Sequence, residues 1–422
     1  MGDDHLPEAD LSLGGDLPTP LHARLASYDH YDLAVAALLI GLVALAFATY
    51  NSYAISNDEE VQQRYGELIV AYYASGFTDQ ALFHYVNLYL YGGLFDILAV
   101  VFQRLLPFVD PYSIRHILCA LTGIAGIGAS RATARLVAGP RAGAIAAFAL
   151  AVCGPWYGSM FNHTKDIPFA AAMMGATYFL LRASLNLPYP LRRHVVPFGI
   201  LLGCALGMRV LGLLLVGYAG LIILMYMQRL QLEPIRGRFG FFSQSVIALA
   251  PAFFIGYLIM IAVWPWSALA PFNALRGLVG FHEFQKQIGT LLNGHFYGMN
   301  DVPRWYVPIY LLIKLPLLIL AGAGAALLFI LWPGRAASPG DNRRLETALL
   351  AFIAVFPVIC EVIDGGPTYT GLRHFLFVVP PFAALAGLAS IGCWRESRRM
   401  AARWRRRRWP LSARCSCGMP RS

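Results

Sequence analysis

Apolar stretches long enough to cross a bilayer recur through the chain, at about 33–52, 113–136, 141–160, 167–184, 195–229, 244–264, 306–332, 346–363 and 373–394. A helix needs roughly 20 predominantly apolar residues to traverse the hydrocarbon core, so each stretch predicts a spanning helix. The stretch 195–229 holds two, turning near Arg209, which brings the expectation to about ten spans. A further run, Val86–Leu106, has the length to cross but is interrupted by Gly92-Gly93, Asp96 and Gln103-Arg104.

Charge decides how that run is read. Arginines crowd the short connections, as Arg131, Arg135 and Arg141, then Arg182, Arg192 and Arg193, then Arg229, Arg236 and Arg238, then Arg335, Arg343 and Arg344. If 86–106 does not cross, all these connections and the basic tail share one side, which the positive-inside rule makes cytoplasmic. Asp58, Asp166, Glu283, Asp301 and Asp364 then share the opposite face. Were 86–106 to cross, Asp58 would move away from the other carboxylates. The run is therefore expected to be a juxtamembrane helix lying in the outer interface. The outer segments 53–112 and 265–305 are long, and long loops within a compact architecture usually carry function. No convincing internal repeat is present, which weighs against a secondary transporter.

Composition agrees. The chain is 58% hydrophobic and 13% charged over 422 residues, against roughly 25% charged in soluble domains. It is expected to be an all-α polytopic membrane protein. The net charge of +10 is concentrated in the 395–422 tail, which reads as a cytoplasmic flank meeting anionic headgroups and not as a nucleic-acid site. The acidic residues 1–32 lack the basic region and short apolar core of a signal peptide. They read as a disordered cytoplasmic N-terminus ahead of an uncleaved first span. Most cysteines lie in or beside apolar runs, and the lone C-x-C at Cys415 and Cys417, without a second ligand pair, is weak evidence for a metal.

The polar chemistry gathers in the outer segments. Asp58-Glu59-Glu60 follow the first span, and a positioned carboxylate there can take a proton from an acceptor hydroxyl or hold a divalent cation, magnesium or manganese, beside phosphate. The same residues also read as the negative start of a helix near Glu59. In Asn162-His163-Thr164-Lys165-Asp166-Ile167-Pro168, Asp166 and Pro168 suit a helix N-cap, which leaves His163 and Lys165 unexplained. Arg373 and His374, after the turn 364–372, stand on the face where the positive-inside tendency disfavours them. Arginine grips phosphate oxygens bidentately. Arg209 either snorkels or points into an outer cavity. The stretch from His282 to Arg304 mixes polar and aromatic residues that suit a sugar, while Trp264, Trp266, Trp305 and Tyr306 read as an interfacial belt.

In order, Asp58-Glu59 with Tyr65-Gly66, Asn162 to Phe169, Gly203 to Arg209, Tyr306 to Pro316, and Tyr369 to Pro381 resemble the motifs of GT-C glycosyltransferases. They are most similar to the family 39-like group, which holds the protein O-mannosyltransferases and the lipid A aminoarabinose transferase. The resemblance spans roughly 33–394. It implies transfer of a hexosyl or pentosyl group from a polyprenyl-phosphate donor, with inversion, on the periplasmic face. The acceptor would be a lipid, glycan or protein. Asp58 would be the general base, Glu59 its supporting carboxylate, and Asp166 would orient acceptor or base. Lys165, Arg209, Arg373 and His374 would bind the donor phosphate, and Tyr65, His163 and Tyr369 the sugar or acceptor. The family's His-Pro-Pro or Lys-Pro-Pro is replaced here by Phe83-His84-Tyr85-Val86-Asn87. The long outer soluble domains of some relatives are also missing, which points towards a lipid-linked glycan or other lipid as acceptor.

The rival class is a transporter or flippase for a lipid-linked or polar substrate, which would set ionisable residues through the depth of the bundle. Lys314 and Glu361, near span ends, are the main examples here, and they favour a site at the outer rim.

Overall fold

The computed structural model describes residues 29–229, 235–270, 272–282, 288–299, 301–331, 343–365 and 369–389. The acidic segment before residue 29, Glu283 and Lys286, the Arg335 connection and the 395–422 tail lie outside the described residues.

Helices α1 (His30–Thr49), α2 (Asn57–Ala74), α3 (Leu94–Leu105), α4 (Pro111–Ala138), α5 (Pro140–Ala151), α6 (Gly154–Ser159) and α7 (Asp166–Ser184) form the first half. The second comprises α8 (Arg192–Leu206), α9 (Leu214–Arg229), α10 (Ile235–Val263), α11 (Pro265–Leu269), α12 (Asn273–His282), α13 (Tyr306–Lys314), α14 (Leu317–Leu331), α15 (Arg343–Asp364) and α16 (Arg373–Ala389). Between α12 and α13, β1 (Gly289–Leu292) and β2 (His295–Gly298) form an antiparallel hairpin with Gly289 opposite Gly298. The sequence pattern did not announce this hairpin.

The protein is a multi-pass membrane protein, but not every apolar run becomes one straight span. His30–Ser52, Pro111–Ala138, Val210–Arg229, Gly237–Val263 and Arg343–Asp364 are long and apolar enough to cross. Helices α13 and α14 make a sixth if their bent pair is one span, so the expected ten is not reached by this measure. Prolines account for two departures. The run 306–332 bends by 117° because Leu315, which precedes Pro316, is extended at ψ 139°, the conformation a following proline enforces. The run 141–160 stops at Ala151 and restarts as α6, with Pro155 in its first turn.

The run Val86–Leu106 contains a helix shorter than its apolar length allows. Helix α3 has 12 residues, about 18 Å of rise, well under the ~30 Å core. Phe95, Asp96, Ala99 and Val100 face inward, while Leu98, Val101, Phe102 and Leu105 are exposed. Gln63 and Gln103 join α2 to α3 by reciprocal amide bonds of 2.7 and 2.9 Å. Gly66 lets the two backbones approach: a Cβ there would lie 2.7 Å from the Asp96 carbonyl oxygen. Gly66→Ala is expected to destabilise the protein by about 1–3 kcal/mol, the usual cost of overpacking, read as a lowered thermal midpoint in detergent.

Helix α7 sits at the centre, packed against α4, α8 and the first turns of α16, with most of its residues buried. Helices α8 and α10 meet through small residues. A Cβ on Gly199 would lie 2.6 Å from the Ala252 carbonyl, and one on Gly203 2.9 Å from that of Gly256. Small residues four apart are the usual device for close helix packing in lipid, where burial against tails gives little drive. At one end of the bundle Asp32 of α1 accepts from Arg135 Nη2 at 2.6 Å and pairs with Arg131. The chemistry gathers at the other end.

Candidate active site

Each charged residue of interest stands at the end of a helix, and local sequence puts it there. Helix α2 opens with a capping box: the Ser56 N–H donates to Glu59 Oε2 at 2.7 Å, and the Ser56 side chain caps in return. That reciprocal pair satisfies two of the donors left open at a helix start and fixes Asp58 in the first turn, with its side chain 49% exposed. Helix α7 follows the turn 163–165, closed by Asp166 N–H to the His163 carbonyl at 3.1 Å. Arg209 is extended between α8 and the 3₁₀ turn Val210–Leu213. Arg373 follows Thr370 and Gly371, both left-handed at φ 57° and 70°. Glycine adopts that backbone freely. Tyr306 Oη accepts the Gly371 N–H and shares a hydrogen bond with Thr290 Oγ1, each 2.8 Å long.

These ends converge on a chain of ion pairs. Arg373 Nη2 pairs with Asp58 Oδ2, and Arg373 Nε donates to Asp166 Oδ2 at 2.8 Å. Arg209 Nη2 pairs with Asp166 Oδ1. The Asp166 side chain is 2% exposed, so it is charged only because two guanidinium groups surround it. The expected N-cap role for Asp166 is overturned. It is the first residue within the helix, Lys165 precedes it as N-cap, and its carboxylate goes to the arginines. Arg209 points into the cluster, and its buried Nε has no hydrogen-bond partner among the described residues.

Lys165 is buried, with Nζ 4.5 Å from the Tyr91 ring centroid and 5.9 Å from that of Tyr65. Burial lowers its ammonium to about 8, against support from the Asp96 carboxylate. Burial also lowers His163 despite Asp166 nearby, and pushes the Tyr91 phenol up to about 12. The charges of Arg209, Asp166 and Arg373 act on the Tyr91 phenol, and its ring lies against Lys165, so it borders the cluster. His374 packs its ring on Tyr369 with centroids 4.7 Å apart.

Two other residues singled out from sequence stand apart from the open face. Glu59 is fully buried, with one oxygen on the Ser56 N–H and the other 3.1 Å from His116 Nε2. Tyr65 is also fully buried, its hydroxyl donating to the Tyr91 carbonyl at 3.2 Å. Among the described residues no group of three or more His, Cys, Asp and Glu side chains converges as metal ligands do. Asp58 and Asp166 are both engaged by arginine, so the donor set does not fit a divalent cation.

Sequence reasoning missed Tyr91, Arg115, Gln62, Thr164 and His116. Arg115 and His116 sit just inside an apolar run, where charge is costly, and that was the available signal. Ser56-x-x-Glu59 is likewise a legible capping box.

No family model matches the sequence, and no curated protein matches it. The fold does have counterparts. The crystal structure of ArnT from Cupriavidus metallidurans bound to undecaprenyl phosphate superposes with a TM-score of 0.57 at 17% identity, over 84% of this chain and 60% of that one. Its apo form gives 0.55 at 18% identity, with the same coverage. The chain therefore shares the fold of these structures and spans about 60% of their length.

Proposed function

We propose that the chain is a membrane-embedded glycosyltransferase moving a hexosyl or pentosyl group from a polyprenyl-phosphate donor to a hydroxyl of a lipid, glycan or protein at the periplasmic face. The observation that carries this reading is the chain Asp58–Arg373–Asp166–Arg209, drawn from four separate helix ends to one face. A base that water and acceptor can reach lies beside guanidinium groups suited to a phosphate. The undecaprenyl phosphate in the ArnT crystal structure supports the donor class.

Arg373 holds Asp58 Oδ2, so Oδ1 is the atom to take the acceptor proton. The acceptor oxygen forms its bond to the anomeric carbon from the face opposite the phosphate, and the configuration inverts. The electron pair of the breaking C–O bond passes to the phosphate, where the free N–H groups of Arg209, with Lys165, offset the growing charge. Asp166 acts through the arginines it orients, and His163 and Tyr369 line the sugar side. Glu59 supports Asp58 by fixing the first turn of α2.

The test is turnover of polyprenyl-phosphate hexose and pentose donors by the purified chain in liposomes, together with mass spectrometry of envelope glycolipids from a deletion strain. A missing sugar in the strain and turnover in vitro are expected. A full glycolipid profile with no turnover would reject the reading.

Donor affinity should also depend on pH. With its ammonium lowered to about 8, Lys165 is charged below that pH and neutral above it, so apparent donor affinity should fall as pH rises through about 8. In Lys165→Arg, which stays charged, the affinity should stay flat over that range. A wild-type profile as flat as the variant's would remove Lys165 from the phosphate site.

A further inference from the structure

Behind the ion-pair chain lies a second polar cluster that the reaction above does not use. Arg115, near the start of α4, is completely buried. Its Nη2 lies 2.7 Å from Asp96 Oδ1 in α3, 3.2 Å from Gln62 Oε1 in α2 and 3.2 Å from Thr164 Oγ1. Thr164 Oγ1 in turn donates to Gln62 Oε1 at 2.6 Å. These contacts meet the Nη2 donors of a guanidinium that would be costly to bury unpaired, while its buried Nε has no hydrogen-bond partner among the described residues.

The members are placed tellingly. Gln62 stands one helical turn beyond Asp58, on the same face of α2. Thr164 stands two residues before Asp166, in the turn that launches α7. The Thr164–Gln62 bond thus ties the element carrying the base to the element carrying Lys165 and Asp166. A second tie runs beside it, from Ser56 Oγ to the Asn162 carbonyl at 3.4 Å. The neighbouring His116 holds Glu59, so the start of α4 braces α2 at two successive turns.

We propose that Thr164, clamped to Gln62 under Arg115, is a positioning residue: it sets the distance between Asp58 and the Lys165-Asp166 pair without touching substrate. This inference rests on the transferase reading. A shift of about 1 Å in catalytic geometry can cost on the order of a hundredfold in rate, whereas donor binding through the arginines needs no such register.

Thr164→Val keeps the shape and the Arg115–Asp96 pair, and removes the hydroxyl with both of its bonds, the one to Gln62 and the one accepted from Arg115 Nη2. In the full-length protein it is expected to lower kcat by about tenfold to a hundredfold, with the apparent donor KM within about twofold of wild type. Thr164→Ser, which keeps the hydroxyl, should restore kcat. Hydrogen exchange at the amides of 162–167 should quicken in Thr164→Val and return to the wild-type rate in Thr164→Ser. Wild-type kcat in Thr164→Val, or equal loss in both variants, overturns the proposal. If the wild-type protein turns over no polyprenyl-phosphate sugar, the transferase reading fails by itself. The exchange measurement then decides the clamp, and unchanged exchange in Thr164→Val overturns it.

Discussion

Asp58→Asn is expected to lower sugar transfer by about a hundredfold to ten-thousandfold, the range that general-base catalysis supplies, in a protein that still inserts and melts like wild type. The amide keeps the size of the carboxylate and can still face Arg373 through its oxygen, but it cannot take a proton. Asp58 is half exposed at the first turn of α2, so the substitution leaves no buried charge unpaired. The measurement is single-turnover transfer with donor at saturation, beside a thermal melt. Wild-type turnover in the folded variant would remove Asp58 from the base position, and Asp166 is too enclosed by arginine to replace it.

Arg373→Ala should act on both binding and chemistry, with a loss of about a hundredfold to a thousandfold in kcat and a weaker apparent affinity for the donor. Among the described residues, Arg373 is the one that pairs with both carboxylates. Without it, Asp58 loses the partner that orients it, while Asp166 keeps only Arg209. Removing one partner from a buried ion pair commonly costs about 3–5 kcal/mol. The remaining Arg209 pair should hold the loss below that, so the variant is expected to fold with a lowered melting temperature. Arg373→Lys keeps the charge but cannot span two carboxylates through Nε and Nη2 at once, and should recover donor affinity more than rate. Unchanged donor affinity in Arg373→Ala would place the phosphate elsewhere.

Much of this arrangement was legible in the chain. The sidedness of the arginine-rich turns placed Asp58, Asp166 and Arg373 on one face before any coordinate was known, and those residues do meet. Val86–Leu106 was read from charge asymmetry as a helix beside the membrane; it holds the 12-residue α3, and its Asp96 is the carboxylate that Arg115 pairs with. What stayed hidden was which charges pair. Asp58 and Arg373 are 315 residues apart, and no periodicity reports a contact at that range. Helix length and composition among the described residues do not confirm the division into about ten spans; at 306–332 the departure comes from Pro316, whose effect a hydropathy count does not see. Glu59 and Tyr65 are both fully buried. Glu59, next to Asp58, points about 100° away from it, whereas Tyr65, two turns on, is covered by packing against Leu68, Ile69 and Leu82, which no local pattern reports.

The ion-pair chain also bears on how the protein is made. Asp166 is synthesised at the start of α7, and Arg209, the earlier of its two arginine partners, follows 43 residues later. Arg373, the second, comes only after 207 residues. Pairing of both Asp166 oxygens, and of Asp58 with Arg373, therefore waits on the synthesis of α16, so the site is assembled late in the making of the chain.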